Sequence, residues 1–155
     1  MTHTLKTCMD IPLKVEDVFS FFCDAFHLEL ITPPELRFHI LTPRPIRMSE
    51  GTLIDYRLQL FGFPFKWRTV ISLWEPPFRF VDEQLEGPYG LWVHNHVFQE
   101  HAGGTTIKDE VHYRLPLQPL GEIAYPFVRN RLEHIFRFRQ EAVKLFISID
   151  SGRLS

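Results

Sequence analysis

Between residues 91 and 115 polar and apolar side chains alternate with the period of two that marks half-buried strands. In the second half of this stretch Ile107, Asp109, Val111, Tyr113 and Leu115 share one face, and Thr106, Lys108, Glu110, His112 and Arg114 share the other. The apolar set turns inward, so Asp109 rides on a buried face. The segment His101-Ala102-Gly103-Gly104 reads as a hairpin turn. Pairing Glu100 with Thr105 across it sets Phe98 opposite Ile107, His96 opposite Asp109, His94 opposite Val111 and Trp92 opposite Tyr113. One inward surface then carries two imidazoles, a carboxylate, an indole and a phenol. A buried carboxylate without a partner costs several kcal/mol, so such a wall is expected to line a cavity with something polar in it.

The same patterns organise the rest of the chain. Residues 5–11 read as a first strand, and Pro12 opens a short or broken helix with Val18, Phe19, Phe22 and Phe26 at helical spacing. Thr32-Pro33-Pro34-Glu35 ends it, and residues 36–41 read as a strand. Residues 52–61 and 65–74 form a hairpin around Gly62-Phe63-Pro64, residues 78–85 follow Pro76-Pro77, and the two strands above complete a run of about seven. After Leu120-Gly121 the period changes to 3.6, with Val128, Leu132, Ile135, Phe136, Ala142, Val143, Phe146 and Ile149 on one stripe and Pro126 in the first turn. The expected fold is therefore α+β: a seven-stranded curved antiparallel sheet and a long C-terminal helix, in β-α-α-β6-α order. No linker or repeat divides the 155 residues, and they are expected to form one domain, 1–155, that buries roughly 70% of its unfolded surface.

Composition narrows the partners. Fifteen Phe and 14% aromatics suit a large apolar lining, and 17 Lys plus Arg against 19 Asp plus Glu give no basic field for nucleic acid. Arg129, Arg131, Arg137 and Arg139 are interleaved with Glu133 and Glu141, as on a solvated helix face. Cys8 and Cys23 lack metal or disulfide spacing, which fits a reducing cytoplasm. Neither a signal peptide nor a membrane span is indicated, and no GxSxG, HExxH, P-loop or GxGxxG occurs.

The β-α-α-β6-α order joins the phrases Phe80-Val81-Asp82-Glu83-Gln84, Gly87-Pro88-Tyr89, Trp92-x-His94-x-His96-x-Phe98 and Thr105-x-Ile107-x-Asp109-Glu110-Val111-x-Tyr113-x-x-Pro116-Leu117. Together they resemble the SRPBCC superfamily, also called the START or helix-grip fold. The similarity is greatest to bacterial members described loosely as polyketide cyclase/dehydrase or ligand-binding proteins, and it covers nearly the whole chain. The resemblance implies a sheet gripping the C-terminal helix over a deep cavity for lipids, isoprenoids, quinones, aromatic polyketides or hormones. It carries no agreed catalytic signature.

Three readings stand for His94 and His96. Two residues apart on one strand face, about 6.6 Å at the backbone, both rings can reach one metal with Asp109 as third ligand. They can instead hydrogen-bond to Asp109, Tyr113 or water inside the cavity, which is the favoured reading with no metal and no cofactor required. An outward register, supported by Leu91, Val93 and Val97, would expose them. Asp109 is either an acid/base group or half of a structural ion pair, for which Arg139, mid-stripe on the C-terminal helix, is the candidate partner. If Phe80 points inward, Asp82 and Gln84 follow it, while Trp67, Thr69, Ile71 and Leu73, and Ile54, Tyr56 and Leu58, supply neighbouring inward series. The apolar tip Phe61-Gly62-Phe63-Pro64-Phe65 would close over the cavity, touch a membrane surface or pack in a homodimer.

The expected function is binding of an apolar or amphipathic small molecule by Tyr56, Trp67, Phe80, Asp82, Gln84, Trp92, His94, His96, Asp109, Tyr113 and Arg139. The alternative is a polyketide cyclase/dehydrase-type enzyme with Asp109, His94 and His96 as acid/base candidates. A second alternative is an interaction module, monomeric or homodimeric, that docks through Phe63 and Phe65.

Overall fold

The alternating stretch folds as a long hairpin, β6 (Leu91–His101) and β7 (Gly104–Arg114). Its register sets Glu100 against Thr105, Phe98 against Ile107, His96 against Asp109, His94 against Val111 and Trp92 against Tyr113, as the pattern requires. Before it run β1 (His3–Ile11), α1 (Val15–Phe22), α2 (His27–Leu30), β2 (His39–Ile40), β3 (Leu53–Leu60), β4 (Phe63–Glu75) and β5 (Arg79–Glu86), and after it α3 (Tyr125–Arg153). The computed structural model describes residues 1–153. All seven strands form one antiparallel sheet in the order β1-β7-β6-β5-β4-β3-β2, so that β1 returns to pair with the last strand and the two short helices bridge from it to the far edge. This is the helix-grip arrangement. Among the described residues no helix is long and apolar enough to cross a membrane.

Local chemistry accounts for the departures from the expected boundaries. Residues 36–41 do not make a full strand: Pro34–Leu36 is a turn of 3-10 helix, and Arg37 follows at φ 46°. Only His39 and Ile40 remain to pair with Arg57 and Tyr56 of β3. The β3–β4 turn is Phe61-Gly62, with φ 54° and 80°, the double left-handed pattern that suits a two-residue hairpin. Phe63 and Pro64 therefore belong to the strand. Phe61 rests on Phe127 of α3, with ring centroids 4.8 Å apart, while Phe63 stays 68% exposed. Among the described side chains of α3 the last buried one is Ile147, and Ile149, expected on the stripe, is 45% exposed.

The sheet bends around α3. Register shifts in the β4–β5 pair, between Arg68 and Thr69 and between Ile71 and Leu73, mark irregularities that let a strand curve. At one end the rings of Phe19, Phe22, Phe80 and Phe98 pack with Val143 and Ile147 of α3. At the other, Trp67, Trp92 and Tyr113 pack with Leu132 and Phe136. Between these two aromatic clusters the sheet and helix stand apart, which leaves the cavity.

One glycine holds the sheet closed against the first strand. Gly104 has φ 144°, and a Cβ there would fall onto the Ile11 carbonyl oxygen and the Cα of Pro12. Gly104→Ala is expected to cost roughly 2 kcal/mol or more through backbone strain and steric overlap. Urea melts of the variant against wild type measure it, and an unchanged midpoint would contradict the close approach.

Candidate functional site

The strand period places the polar side chains on the concave face. On β6, Trp92, His94, His96 and Phe98 are buried in turn, which settles the histidines inward and leaves Leu91, Val93 and Val97 on the outer face. Asp109 comes in from β7 and Asp82 from β5, where the register pairs Asp82 with His94 and Phe80 with His96. Arg139 reaches down from α3.

These groups form a closed box of charges. His94 Nε2–H donates to Asp109 Oδ1 at 2.7 Å, and His96 Nε2–H donates to Asp82 Oδ2 at 2.6 Å. The other ring nitrogen of His96 lies 3.3 Å from the same Asp109 oxygen, whereas that of His94 stands 3.8 Å from Asp82. His96 thus has a carboxylate at both nitrogens, the arrangement that an imidazolium satisfies; His94 has one, which suits the neutral ring. Thr7 donates to the second Asp109 oxygen at 3.5 Å. His94, His96 and Asp109 are 4%, 2% and 6% exposed, so these bonds operate in a low-dielectric setting.

The proton affinities follow from this geometry. Burial, with help from the adjacent His96, pushes His94 down to about 4, against the pull of Asp109. Burial also opposes a charge on His96, but the bonds to Asp109 and Asp82 outweigh it and raise its pKa. Burial works against the Asp109 charge too, yet the two histidine bonds and the Arg139 charge hold its pKa well below the usual carboxylate range. Asp82 is likewise lowered, the His96 bond and the charges of the histidines and Arg139 overcoming burial.

Stacking fixes the ring orientations. Phe80, His96 and His94 form a column with centroids 4.0 and 3.6 Å apart. Asp82, His94 and His96 bring ligand atoms within 4.8 Å of one another, so the metal-type cluster takes Asp82 as its carboxylate where the sequence suggested Asp109. The two imidazole planes lie 26° apart, and near-parallel rings aim their nitrogens side by side.

The cavity next to this box measures about 160 Å³. Tyr56, Trp67, Phe80, Asp82, Trp92, His94, His96 and Arg139, all singled out in the sequence, line it. Three other candidates lie elsewhere. Asp109 sits behind the histidines, Tyr113 packs against His3, Tyr89 and Trp92, and Gln84 exchanges two hydrogen bonds with the Tyr89 backbone, at 2.8 and 3.1 Å. Asp109 meets the histidines directly; Arg139, its expected partner, acts on it only through its charge. Tyr89, Phe22 and Phe136 also line the cavity. Phe136 was legible, three residues before Arg139 on one helical stripe; Tyr89 lies in a turn, where periodicity is silent. Among the described residues Trp67 Nε1 is the buried side-chain polar atom without a partner, an unmet donor in the cavity wall.

The chain is similar to several solved structures. The Thermus thermophilus protein TTHA0849 matches with TM-score 0.77 and 16% identity over 96% of this chain and 99% of that one. The Zhui aromatase/cyclase of a Streptomyces species matches with TM-score 0.77 and 14% identity over 96% and 94%. The di-domain ARO/CYC StfQ of the steffimycin biosynthetic pathway matches with TM-score 0.73 and 16% identity over 97% of this chain and 52% of that one. No protein-family model and no curated protein matches the sequence. At such identities the likeness establishes the helix-grip fold alone.

The box predicts a stability profile with opposite slopes on either side of pH 6.5. His94, depressed in the fold, resists the proton that the unfolded chain accepts, so stability falls as pH drops from 6.5 toward 4. His96, raised in the fold, contributes stability that is complete below 6.5 and is lost as pH climbs through its folded value. Denaturant melts at pH 5, 6.5 and 8 are expected to lose the acid-side slope in His94→Gln and the alkaline-side slope in His96→Gln. A pH-independent difference between wild type and either variant would refute the assignment.

Asp109→Leu removes the carboxylate that both histidines face and is expected to cost roughly 3–5 kcal/mol. Adding His96→Leu should recover part of that loss, and adding Arg139→Met should recover less. Melts of the two double-mutant cycles decide, additivity at His96 being the outcome that removes the pair.

Proposed function

We propose that the protein binds an apolar or amphipathic planar small molecule in the cavity between sheet and α3, oriented by the polar box. One observation carries the reading: Asp82, His94, His96 and Arg139, backed by Asp109, present a polar cluster to an otherwise aromatic and aliphatic cavity. A buried ionic cluster gives little net stability compared with apolar side chains of like volume. Its position at a cavity wall suits recognition, where a few placed polar groups orient a ligand held by apolar contact. The unmet indole donor of Trp67 and the ring faces of Tyr56 and Trp92 support the same use. The free thiols Cys8 and Cys23 fit a reducing cytoplasmic setting.

The names of Zhui and StfQ favour a second reading, cyclisation of a polyketide-like chain with Asp109, His94 and His96 as acid/base groups. Proton chemistry makes it the weaker one. A histidine held at about 4 is a poor base at neutral pH, and both nitrogens of His96 are engaged by carboxylates. Shape and orientation would have to supply most of any acceleration.

Native mass spectrometry of protein purified from its own host is expected to reveal a retained small molecule. In a thermal-shift screen of fatty acids, quinones and polyphenols, a ligand at 100 times its Kd should add about 2.7 kcal/mol, or roughly 5–10 °C in Tm. No adduct and no shift with any class would end the binding reading. If the ligand is also turned over, Asp109→Asn and His96→Gln should each lower kcat at least about a hundredfold under the enzymatic reading. Intact turnover in both variants would dismiss it.

A further inference from the structure

The hydrogen-bonding atoms left open around the cavity specify more than an apolar ligand. Arg139 lies with a guanidinium nitrogen 3.5 Å from His96 Nδ1, and its carbon stands 5.7 and 6.0 Å from the rings of Phe22 and Phe136. That histidine nitrogen also lies 3.3 Å from Asp109, so the guanidinium finds in it one long and shared contact. No carboxylate lies within ion-pair distance of Arg139 among the described residues, and apart from the 3.5 Å contact to His96 its planar fork of N–H groups has no acceptor among them. The hydroxyl of Tyr56, another wall residue, makes no hydrogen bond among the described residues. Asp82 receives His96 through Oδ2, and its Oδ1 has no donor among those residues. The wall thus presents donors from Arg139 and Tyr56 and an acceptor from Asp82.

Charge decides what kind of head group fits. Asp82 and Asp109 contribute two negative charges and Arg139 one positive charge, and His96, whose pKa its two carboxylates raise, adds at most one more. His94, bonded to a carboxylate through one nitrogen, contributes none. The box thus has no net positive charge to receive an anion. A free carboxylate would satisfy the Arg139 fork but would add an uncompensated charge in a poorly solvated wall, and it offers nothing to Asp82 Oδ1. An uncharged head with both a carbonyl oxygen and an N–H or O–H satisfies the open atoms and keeps the balance.

We propose that the cavity selects an uncharged planar molecule whose head gives a carbonyl-type acceptor to Arg139 and Tyr56 and a hydrogen-bond donor to Asp82, and that it discriminates against carboxylate anions. The selection rests on the ligand-binding reading above and narrows its ligand class. Aromatic amides and hydroxylated aromatic ketones meet the requirement; ionised aromatic acids do not.

Three matched two-ring probes test it by calorimetric titration of the wild-type protein at pH 7: 2-naphthamide, methyl 2-naphthoate and 2-naphthoic acid. The amide is expected to bind about tenfold tighter than the ester, which lacks the donor, and at least about tenfold tighter than the ionised acid. Arg139→Met should weaken amide and ester alike by about tenfold or more and leave their ratio intact. An acid that binds as tightly as the amide, an ester equal to the amide, or an Arg139→Met protein with unchanged affinities would overturn the selection while leaving the cavity a ligand site. Binding of none of the three probes would overturn the selection and the ligand-binding reading together. The comparison of probes on wild type needs no variant, so a poorly folding Arg139→Met protein does not shelter the proposal.

Discussion

Everything polar in the cavity depends on the Asp109 carboxylate, held behind the β6 histidines on the floor of the sheet. Its Oδ1 accepts from His94 and lies close to His96, so a single oxygen sets the tautomer of one ring and helps raise the pKa of the other. Asp82 then closes the box from β5, and Arg139 balances it from α3. The strand register is bound to this cluster. A slip of one residue in β6 against β7 would expose the histidines and bury the outer face in their place. Pairing His96 with Asp109 therefore serves the hydrophobic pattern and the electrostatics at once.

The box also explains why the interior is divided. The aromatic clusters at the two ends pack ring on ring, with Phe19 and Phe98 at one end and Trp67 and Trp92 at the other. Charged groups between them cannot be covered by apolar side chains without losing hydrogen bonds or solvation. A column of Phe80, His96 and His94 lets the β6 imidazoles share apolar contacts through their faces while their edges keep the carboxylates.

Much of this was readable in the chain because it follows from periods and turns. The β6–β7 register came from clean alternation and one Gly-Gly turn, and the Arg139 position came from the helical stripe. What could not be read depends on geometry between segments. That His96 takes Asp82 as its short partner requires the β5–β6 register, set beyond an irregular β4–β5 pairing. Gln84 shares a face with Asp82 but lies where the chain turns back, and the Tyr89 backbone claims it. Residues 36–41 look extended by composition, yet the left-handed turn at Arg37 decides their path. Ile147 and Ile149 are equally apolar, and only the line of contact with the sheet makes the first the buried one.

The fold and the site answer to different constraints. A helix-grip sheet recurs here at 14–16% identity to other chains, because alternation, tight turns and one long amphipathic helix suffice to build it. Those constraints ask for apolar residues on the concave face and would accept a hydrophobic side chain at position 82, 94, 96, 109 or 139. Such replacements, made together, would remove the desolvation cost of four charges and are expected to leave stability equal or greater. The polar atoms are thus not needed to hold sheet to helix. Their arrangement has meaning at the surface they offer to the cavity, where no positive charge is left over and the open donors and acceptor remain.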